Sequence, residues 1–207
     1  MNLTQRFTKP IAKSPRFLLQ TTRYTRLISS SHRSYQHDHL FSYTSGRWLW
    51  NENQQLKDRY RRFNVANLMH AACQATDSTR CISINKIGEG NYNKAYRLTM
   101  ENARAIIAKI PHPNAGPTVY TTASEVATMD FARTVLDLPV PKVLAWSAAM
   151  DPVESEYILM EEAKGSQLHG VWQKLELREK RDIIQEIINV ERKMLSISFD
   201  RYIVTIP

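Results

Sequence analysis

The sequence predicts an α+β fold: a five-stranded antiparallel sheet with one helix, followed by a linker and one long amphipathic helix. Apolar and polar residues alternate after Cys81, which is the period of a half-buried strand. A glycine turn and a short polar turn divide this region into three consecutive strands. A helix and two more strands follow, so the order is β-β-β-α-β-β rather than the alternating βαβ order of a parallel sheet.

The first two strands carry apolar residues at alternating positions, which are Ile82, Ile84, Ile87, Tyr92, Tyr96, Leu98 and Met100. The polar turn at 101–103 leads into a third strand, predicted from Arg104 to Ile110. Prolines and a glycine at 111–117 end it. The last two strands are predicted near 142–149 and 157–161.

Three helices are predicted. Asn64 is expected to cap the first, because its short side chain can accept a free backbone N–H of the first turn. The second covers 121–137 and is closed by the breaker at 138–141. The third covers 176–198, and its apolar stripe consists of Ile183, Ile184, Ile187, Ile188, Met194 and Leu195.

The basic charge is concentrated at the start of the chain. The formal net charge is +8, but residues 1–37 hold seven of the 28 basic residues and none of the 20 acidic ones. The remainder, with 21 basic against 20 acidic residues, is nearly neutral. A nucleic-acid partner is therefore not expected, because phosphate neutralisation needs excess Lys and Arg on the folded surface. No stretch has the roughly 18 apolar residues of a membrane span.

Residues 1–35 are rich in Arg and Ser and free of acid, which is typical of a mitochondrial transit peptide. Arg33-Ser34-Tyr35 resembles a matrix-protease site, so the mature chain is expected to begin near Gln36. The predicted localisation is the mitochondrion. The alternative is a disordered basic tail, which Pro10 and Pro15 permit.

The predicted organisation has four parts. They are the transit peptide (1–35), an N-terminal arm and helix (36–75), the lobe that carries the sheet (76–163), and a linker with a long helix (164–207). In the arm, Trp48 and Trp50 are expected to pack on a neighbouring domain, or simply to pack locally.

The turn between the first two strands is a variant of GxGxxG, namely Gly88-Glu89-Gly90-Asn91-Tyr92-Asn93. A dinucleotide-binding fold requires a helix directly after the turn, but the alternation here indicates a strand. A glycine loop between two strands is the protein-kinase arrangement, in which backbone N–H groups approach nucleotide phosphates. Asn93 is tolerable in place of glycine because Asn adopts left-handed backbone angles. The alternative is a turn that serves only a tight hairpin.

Lys109 lies among apolar residues in the third strand and needs an anionic partner or a route to solvent. Glu125 in the following helix is a candidate partner, as are nucleotide phosphates. The alternative is a surface lysine on an edge strand. Residues 157–163 match a hinge whose backbone can bind adenine, and here the alternative is an ordinary core strand.

The order of glycine turn, Lys109, Glu125 and hinge resembles the aminoglycoside phosphotransferase and choline kinase superfamily, which has a protein-kinase-like N-terminal lobe. Two pairs of stretches resemble a fungal mitochondrial family, the altered inheritance of mitochondria protein 9-like phosphotransferase-domain proteins. They are YTSGRWLWNE with FNVANL, and SEVATMDF with PVPKVLAW. The resemblance covers residues 38–200.

The resemblance implies ATP as cofactor. It assigns the phosphates to the turn formed by Gly88, Glu89, Gly90, Asn91, Tyr92 and Asn93. Lys109 would then hold the phosphates, Glu125 would position Lys109, and Met160, Glu161 and Ala163 would flank the adenine.

Phosphoryl transfer in such a fold also needs a catalytic Asp in a His-x-Asp loop and a second Asp for magnesium. None of the six histidines is followed two positions later by Asp, and no such magnesium Asp follows the hinge. We therefore expect no catalytic residue and no metal site in this chain, as in a C-terminally truncated, inactive family member. The last helix is then the first of a missing lobe, and its 183–195 stripe is a candidate self-association surface. The alternative is a short, non-catalytic mitochondrial protein that binds a nucleotide or a partner.

Overall fold

The computed structural model describes residues 38–149 and 152–198. The strands are β1 (Cys81–Glu89), β2 (Asn93–Met100), β3 (Ala105–Pro111), β4 (Val143–Ser147) and β5 (Tyr157–Glu161). The helices are α1 (Asp38–Phe41), α2 (Glu52–Arg59), α3 (Val65–Thr76), α4 (Tyr120–Thr134), α5 (Leu168–Val171) and α6 (Leu177–Leu195), with one 3-10 turn at Trp172–Lys174.

The five strands form one sheet in the order β1-β2-β3-β5-β4, and every neighbouring pair is antiparallel. The predicted α+β class and five-stranded antiparallel sheet are thus confirmed. The element ends differ by a few residues. The third strand begins after Arg104, whose backbone N–H is bound by Asn102 Oδ1 at 3.0 Å in the turn. Helix α4 ends at Thr134, earlier than predicted.

Strands β2 and β3 divide their side chains between two faces. Tyr96, Leu98 and Met100 of β2 and Ile106 and Ala108 of β3 are buried, while the intervening residues are half-buried. The buried set joins Leu68 and Ala72 of α3 in one hydrophobic core. Burial of such side chains stabilises the fold by roughly 1.5 to 3 kcal/mol each. The other face stays accessible, and it is the face on which a ligand can lie.

The predicted alternation is wrong in β1 and at Tyr92. Ile82 and Ile87 are 56% and 53% exposed, because register shifts between Cys81 and Ser83 and between Lys86 and Gly88 interrupt the pairing with β2. A bulge of this kind changes which face a side chain occupies. Tyr92 is also exposed, because it belongs to the turn and not to β2.

The N-terminal arm, residues 38–63, packs on the core side of the sheet. Phe63 contacts the rings of Phe41 and Tyr96 edge to face, with ring centroids 5.1 and 5.3 Å apart. Tyr96 Oη donates a hydrogen bond to the Leu40 carbonyl at 2.8 Å. At the end of the arm, Asn64 caps α3 as predicted, since its side chain accepts the Asn67 N–H at 3.1 Å.

The two arm tryptophans differ in their packing. Trp48 contacts Tyr43, with centroids 4.9 Å apart, and the Arg59 guanidinium lies 4.6 Å from its ring. These contacts are within the arm, so the alternative of local packing holds for Trp48. Trp50 is 81% exposed, so local packing does not hold for it in the described part of the chain, and its packing on a neighbouring domain stays a prediction.

Helix α6 begins with a capping box between Glu176 and Glu179. Its predicted stripe is exposed or half-buried along its whole length, and none of its residues is fully buried. Self-association through this stripe stays a prediction. In the described residues no helix is both long and apolar enough to cross a membrane. The predicted transit peptide, residues 1–35, lies outside the described residues.

Candidate functional site

The accessible face of the sheet carries one row of cross-strand neighbours. Gly88 lies opposite Ala95, Ala95 opposite Lys109, and Lys109 opposite Ile158. Directly opposite residues of antiparallel strands share a face, with Cβ atoms about 5 Å apart. The row therefore places the glycine turn, a small residue and Lys109 side by side.

Lys109 Nζ forms a charged hydrogen bond with Glu125 Oε1 of α4. The two side chains are 25% and 31% exposed, so the pair borders solvent and can be reached by a ligand. The pairing that the sequence suggested is present. It also shows that Lys109 is not an isolated surface lysine on an edge strand, since β3 lies in the middle of the sheet.

Helix α4 is anchored on the side of β4 and β5. Thr122 Oγ1 in its first turn donates to the buried Glu156 carboxylate at 2.6 Å. Gly116, in the connection before α4, has φ +133°, and a Cβ there would lie 2.8 Å from Thr121 Oγ1. This glycine is required by the fold, and together these features fix where Glu125 stands.

Unlike Gly116, the glycines of the turn are not required by the fold. A Cβ added at Gly88 or Gly90 would meet no atom within 4 Å, and neither residue has a left-handed φ. The hairpin itself therefore does not need glycine at either position. Absent side chains with open space beside them favour the close approach of a ligand over the alternative of a merely tight turn.

Some backbone groups of the turn are hydrogen-bonded within the protein, and others are not. The Gly90 N–H donates to the Asn93 carbonyl at 2.9 Å, and the His112 N–H donates to the Tyr92 carbonyl at 2.7 Å. Within the residues described, the N–H groups of Asn91 and Tyr92 have no acceptor. Unpaired N–H groups in a turn are suited to binding phosphate oxygens.

Two members of the predicted turn play structural parts. Asn93 begins β2 and does not use a left-handed conformation, so that reason for tolerating it is wrong. The Glu89 side chain is only 1% exposed and accepts hydrogen bonds from Thr44 Oγ1 at 2.7 Å and Lys86 Nζ at 3.2 Å. Burial alone would raise the pKa of Glu89, but these hydrogen bonds outweigh it and lower the pKa. Glu89 ties the turn to the arm.

A buried polar pair behind the turn was missed by sequence reasoning. Lys94 is 1% exposed, and its Nζ donates to the Arg59 carbonyl and approaches His112 Nδ1 at 3.3 Å. His112 Nε2 lies 3.1 Å from the Gly90 carbonyl. An ammonium has only donors, so Nδ1 accepts and the ring proton sits on Nε2, which donates to Gly90. The sequence did contain a signal, since Lys94 is in phase with Tyr96, Leu98 and Met100.

Both groups of this pair have lowered pKa values. Burial lowers the pKa of Lys94 to about 8. Burial, and next the positive charge of Lys94, lower the pKa of His112 to about 4. The imidazole is therefore neutral at pH 7, as the hydrogen-bond directions require.

The predicted hinge, residues 157–163, consists of β5 and the two residues after it. Met160 lies opposite Ile107 and so shares the face of Lys109. The Glu161 N–H donates to the Lys142 carbonyl at 2.9 Å, and its carboxylate accepts the Lys142 N–H at 3.2 Å. Glu161 is thus held by the residue before β4, whereas Ala163, two residues after the end of β5, is exposed. Of the hinge residues, Met160 and Ala163 are the ones left available to a ligand.

No group of three His, Cys, Asp or Glu side chains that could hold a metal ion occurs in residues 38–149 and 152–198. Glu125 and Glu156 are separately engaged by Lys109 and Thr122. The described residues therefore do not fit a magnesium site of their own.

Comparison with known proteins points to one family. The sequence profile of the phosphotransferase enzyme family matches residues 83–201. A subtelomeric hrmA-associated cluster protein of Aspergillus fumigatus is 50% identical over 123 residues, which are 59% of this chain and 24% of that protein. A protein of Candida albicans named altered inheritance of mitochondria protein 9, mitochondrial, is 27% identical over 217 aligned residues, which are 86% of this chain and 34% of that protein. The sequence-based resemblance is thereby confirmed.

Similarly named proteins occur in other yeasts, among them Yarrowia lipolytica, at 27% identity over 80% of this chain. These names agree with the predicted mitochondrial localisation. A crystal structure from Ralstonia eutropha JMP134, described as a candidate aminoglycoside phosphotransferase, is 20% identical, covers 51% of this chain and 29% of its own, and has a TM-score of 0.40. The chain spans about a quarter to a third of the length of the curated relatives it matches.

The buried histidine gives a testable pH dependence. Because the pKa of His112 is lowered to about 4 in the folded chain, only the unfolded chain takes up this proton between about pH 6.5 and pH 4. The free energy of unfolding should therefore fall as the pH drops through this range, by on the order of 2 kcal/mol from pH 7 to pH 5 for this residue. The measurement is urea unfolding of the wild type and His112→Gln at both pH values. Equal losses in the two proteins would contradict the assignment.

Proposed function

Because the chain belongs to the phosphotransferase enzyme family, we propose that its sheet lobe, residues 76–163, binds a nucleoside triphosphate, ATP in the first instance. The observation that carries this proposal is the Lys109–Glu125 pair beside a glycine turn with unpaired N–H groups. The open space at Gly88 and Gly90 supports it, because a phosphate can approach the backbone there.

Each part of the site has its own contribution. The Asn91 and Tyr92 N–H groups bind phosphate oxygens, and Lys109 Nζ adds a charge-assisted hydrogen bond to the same anion. Glu125 keeps the Lys109 side chain extended along the sheet. Met160 and the backbone at Ala163 border the adenine. No step is assigned to magnesium, because the described residues offer it no site.

Removal of the Lys109 ammonium should weaken nucleotide binding. A hydrogen bond to a charged group contributes about 1.5 to 3 kcal/mol, so Lys109→Met should raise the Kd for the non-hydrolysable analogue AMP-PNP by roughly 10- to 100-fold. The measurement is isothermal titration calorimetry, supported by the shift in Tm at saturating analogue. Lys57→Met is the matched control, because Lys57 is exposed on α2 of the arm and does not belong to the sheet. Unchanged affinity in Lys109→Met would remove the basis of the proposal.

We also propose that these 207 residues bind nucleotide without transferring its phosphate. The support is that the sequence contains no His-x-Asp, and that the carboxylates next to the site are engaged structurally. In such a fold the catalysis depends on an Asp that accepts the acceptor's proton and on bound metal ions.

The chain should therefore release no more ADP from Mg-ATP than its Lys109→Met variant does. The measurement is a coupled ADP assay run over hours with equal protein concentrations. Turnover in the wild type that Lys109→Met abolishes would overturn the proposal, because it would show that this chain supplies the catalytic groups itself.

For localisation, we propose that residues 1–35 act as the mitochondrial address. A fluorescent protein carrying these residues should colocalise with a mitochondrial dye in a fungal cell. A matched leader in which all seven basic residues are Gln should leave the fluorescence diffuse, because import depends on the positive charge. Diffuse fluorescence of both fusions would favour the disordered basic tail.

A further inference from the structure

The polar pair behind the glycine turn is the most unusual feature of the buried side of the sheet. Lys94 and His112 are only 1% and 2% exposed. A buried ammonium and a buried imidazole are both costly unless their hydrogen bonds are satisfied. Their contacts lead from the arm, at the Arg59 carbonyl, to the turn, at the Gly90 carbonyl. The pair therefore connects the arm to the glycine turn through the interior.

The contacts from Lys94 through His112 to the Gly90 carbonyl also fix the orientation of the peptide between Gly90 and Asn91. The carbonyl of Gly90 and the N–H of Asn91 belong to one planar trans peptide, so they point in opposite directions. His112 Nε2 holds the Gly90 carbonyl on the buried side at 3.1 Å, and the Asn91 N–H must then point away from it. The same residue's backbone N–H holds the Tyr92 carbonyl at 2.7 Å. One residue therefore fixes two peptide planes of the turn.

We propose that His112 is a positioning residue that, braced by Lys94 and the arm, orients the glycine turn so that the Asn91 N–H faces the phosphate site. The expected effect on nucleotide affinity rests on the proposed nucleotide site. The ordering of the glycine turn by His112 does not. Lys94 sets the role of the ring. By donating to Nδ1 it leaves the proton on Nε2, the atom that must donate to Gly90.

Two substitutions at the same position separate the two nitrogen atoms of the ring. In His112→Gln, the side-chain amide reaches the place of Nε2 and can still donate to the Gly90 carbonyl. In His112→Asn, the amide reaches only the place of Nδ1, so the contact to Gly90 is lost while an acceptor for Lys94 remains. Both are uncharged and of similar polarity, so each keeps one of the two ring contacts: Gln the donor to Gly90 and Asn the acceptor for Lys94.

The first measurement needs no ligand. Hydrogen exchange of the Gly90 amide, which closes the turn on Asn93, should be roughly tenfold faster in His112→Asn than in the wild type, and within about twofold of wild type in His112→Gln. The second measurement is the Kd for AMP-PNP, which should rise roughly tenfold in His112→Asn and be restored to within about threefold in His112→Gln.

Lys94→Met provides a variant that cannot be confused with loss of folding. Replacing a buried charge by an apolar side chain of similar length is often neutral or stabilising, so its Tm should equal or exceed that of the wild type. The turn should nevertheless exchange about threefold faster, because the ring no longer has a donor at Nδ1. If His112→Asn does not fold, this variant alone decides between a positioning role and a merely structural one.

The outcomes separate the two proposals. If the wild type does not bind AMP-PNP, the nucleotide site is wrong, but the exchange comparison still tests the role of His112. Equal exchange in the wild type and His112→Asn would overturn the positioning role, and so would equal exchange in Asn and Gln. If the wild type binds and the turn loosens while affinity stays unchanged, then His112 orders the turn without serving the ligand, and the proposal fails.

Discussion

The pleat of β2 and β3 sends successive side chains to opposite faces of the sheet, and the site depends on this division. Tyr96 and Leu98 face the core with α3, whereas Ala95 and Lys109 lie on the accessible face near α4. A slip of one residue in the pairing would bury Lys109 and expose the tyrosine. The continuous core of aromatic and aliphatic residues opposes such a slip, so packing on one face places the charge on the other.

Lys94 is the exception to this division, because it belongs to the buried face and carries an ammonium. It lies at the first turn-proximal position of that face, where the core ends and the arm begins. The Arg59 carbonyl and His112 Nδ1 satisfy two of its three donors. Burial lowers the pKa of Lys94 to about 8 despite these two contacts. The fold retains this cost at a place where the arm, β2 and the glycine turn meet.

The sequence predicted the parts of the site that have a regular pattern. Alternation located β2, the polar turn and the prolines bounded β3, and the need of Lys109 for an anionic partner suggested its pairing with Glu125. The breaker at 138–141 placed the end of α4 to within a few residues. Such features depend on local periodicity and on charges that need partners. Local sequence patterns were therefore enough to predict most of the strands and helices of the fold.

The errors concern features that depend on register and on distant contacts. The bulges in β1 were invisible in its pattern of isoleucines, and they turn Ile82 and Ile87 to solvent. Glu89 was assigned to the ligand because it lies in the turn, but Thr44 of the arm, 45 residues away, holds its side chain. His112 follows Pro111, the last residue of β3, and belongs to no periodic pattern in the sequence. The sequence of the glycine turn therefore gives no sign of His112, which contacts the turn from a distant position in the chain.

The charge balance explains why such a residue matters. The chain after residue 37 is nearly neutral, and Glu125 offsets the charge of Lys109, so net charge contributes little long-range attraction for an anion. Exposed charges are also screened beyond about 10 Å in salt. In the proposed site, phosphate binding would then rest chiefly on short, directional hydrogen bonds from Lys109 and the turn N–H groups. Directional contacts are lost when a peptide plane rotates, whereas a field is not. In the proposed site, the hydrogen bond that fixes the Gly90–Asn91 peptide would therefore contribute to affinity beside the charge-assisted hydrogen bond of Lys109.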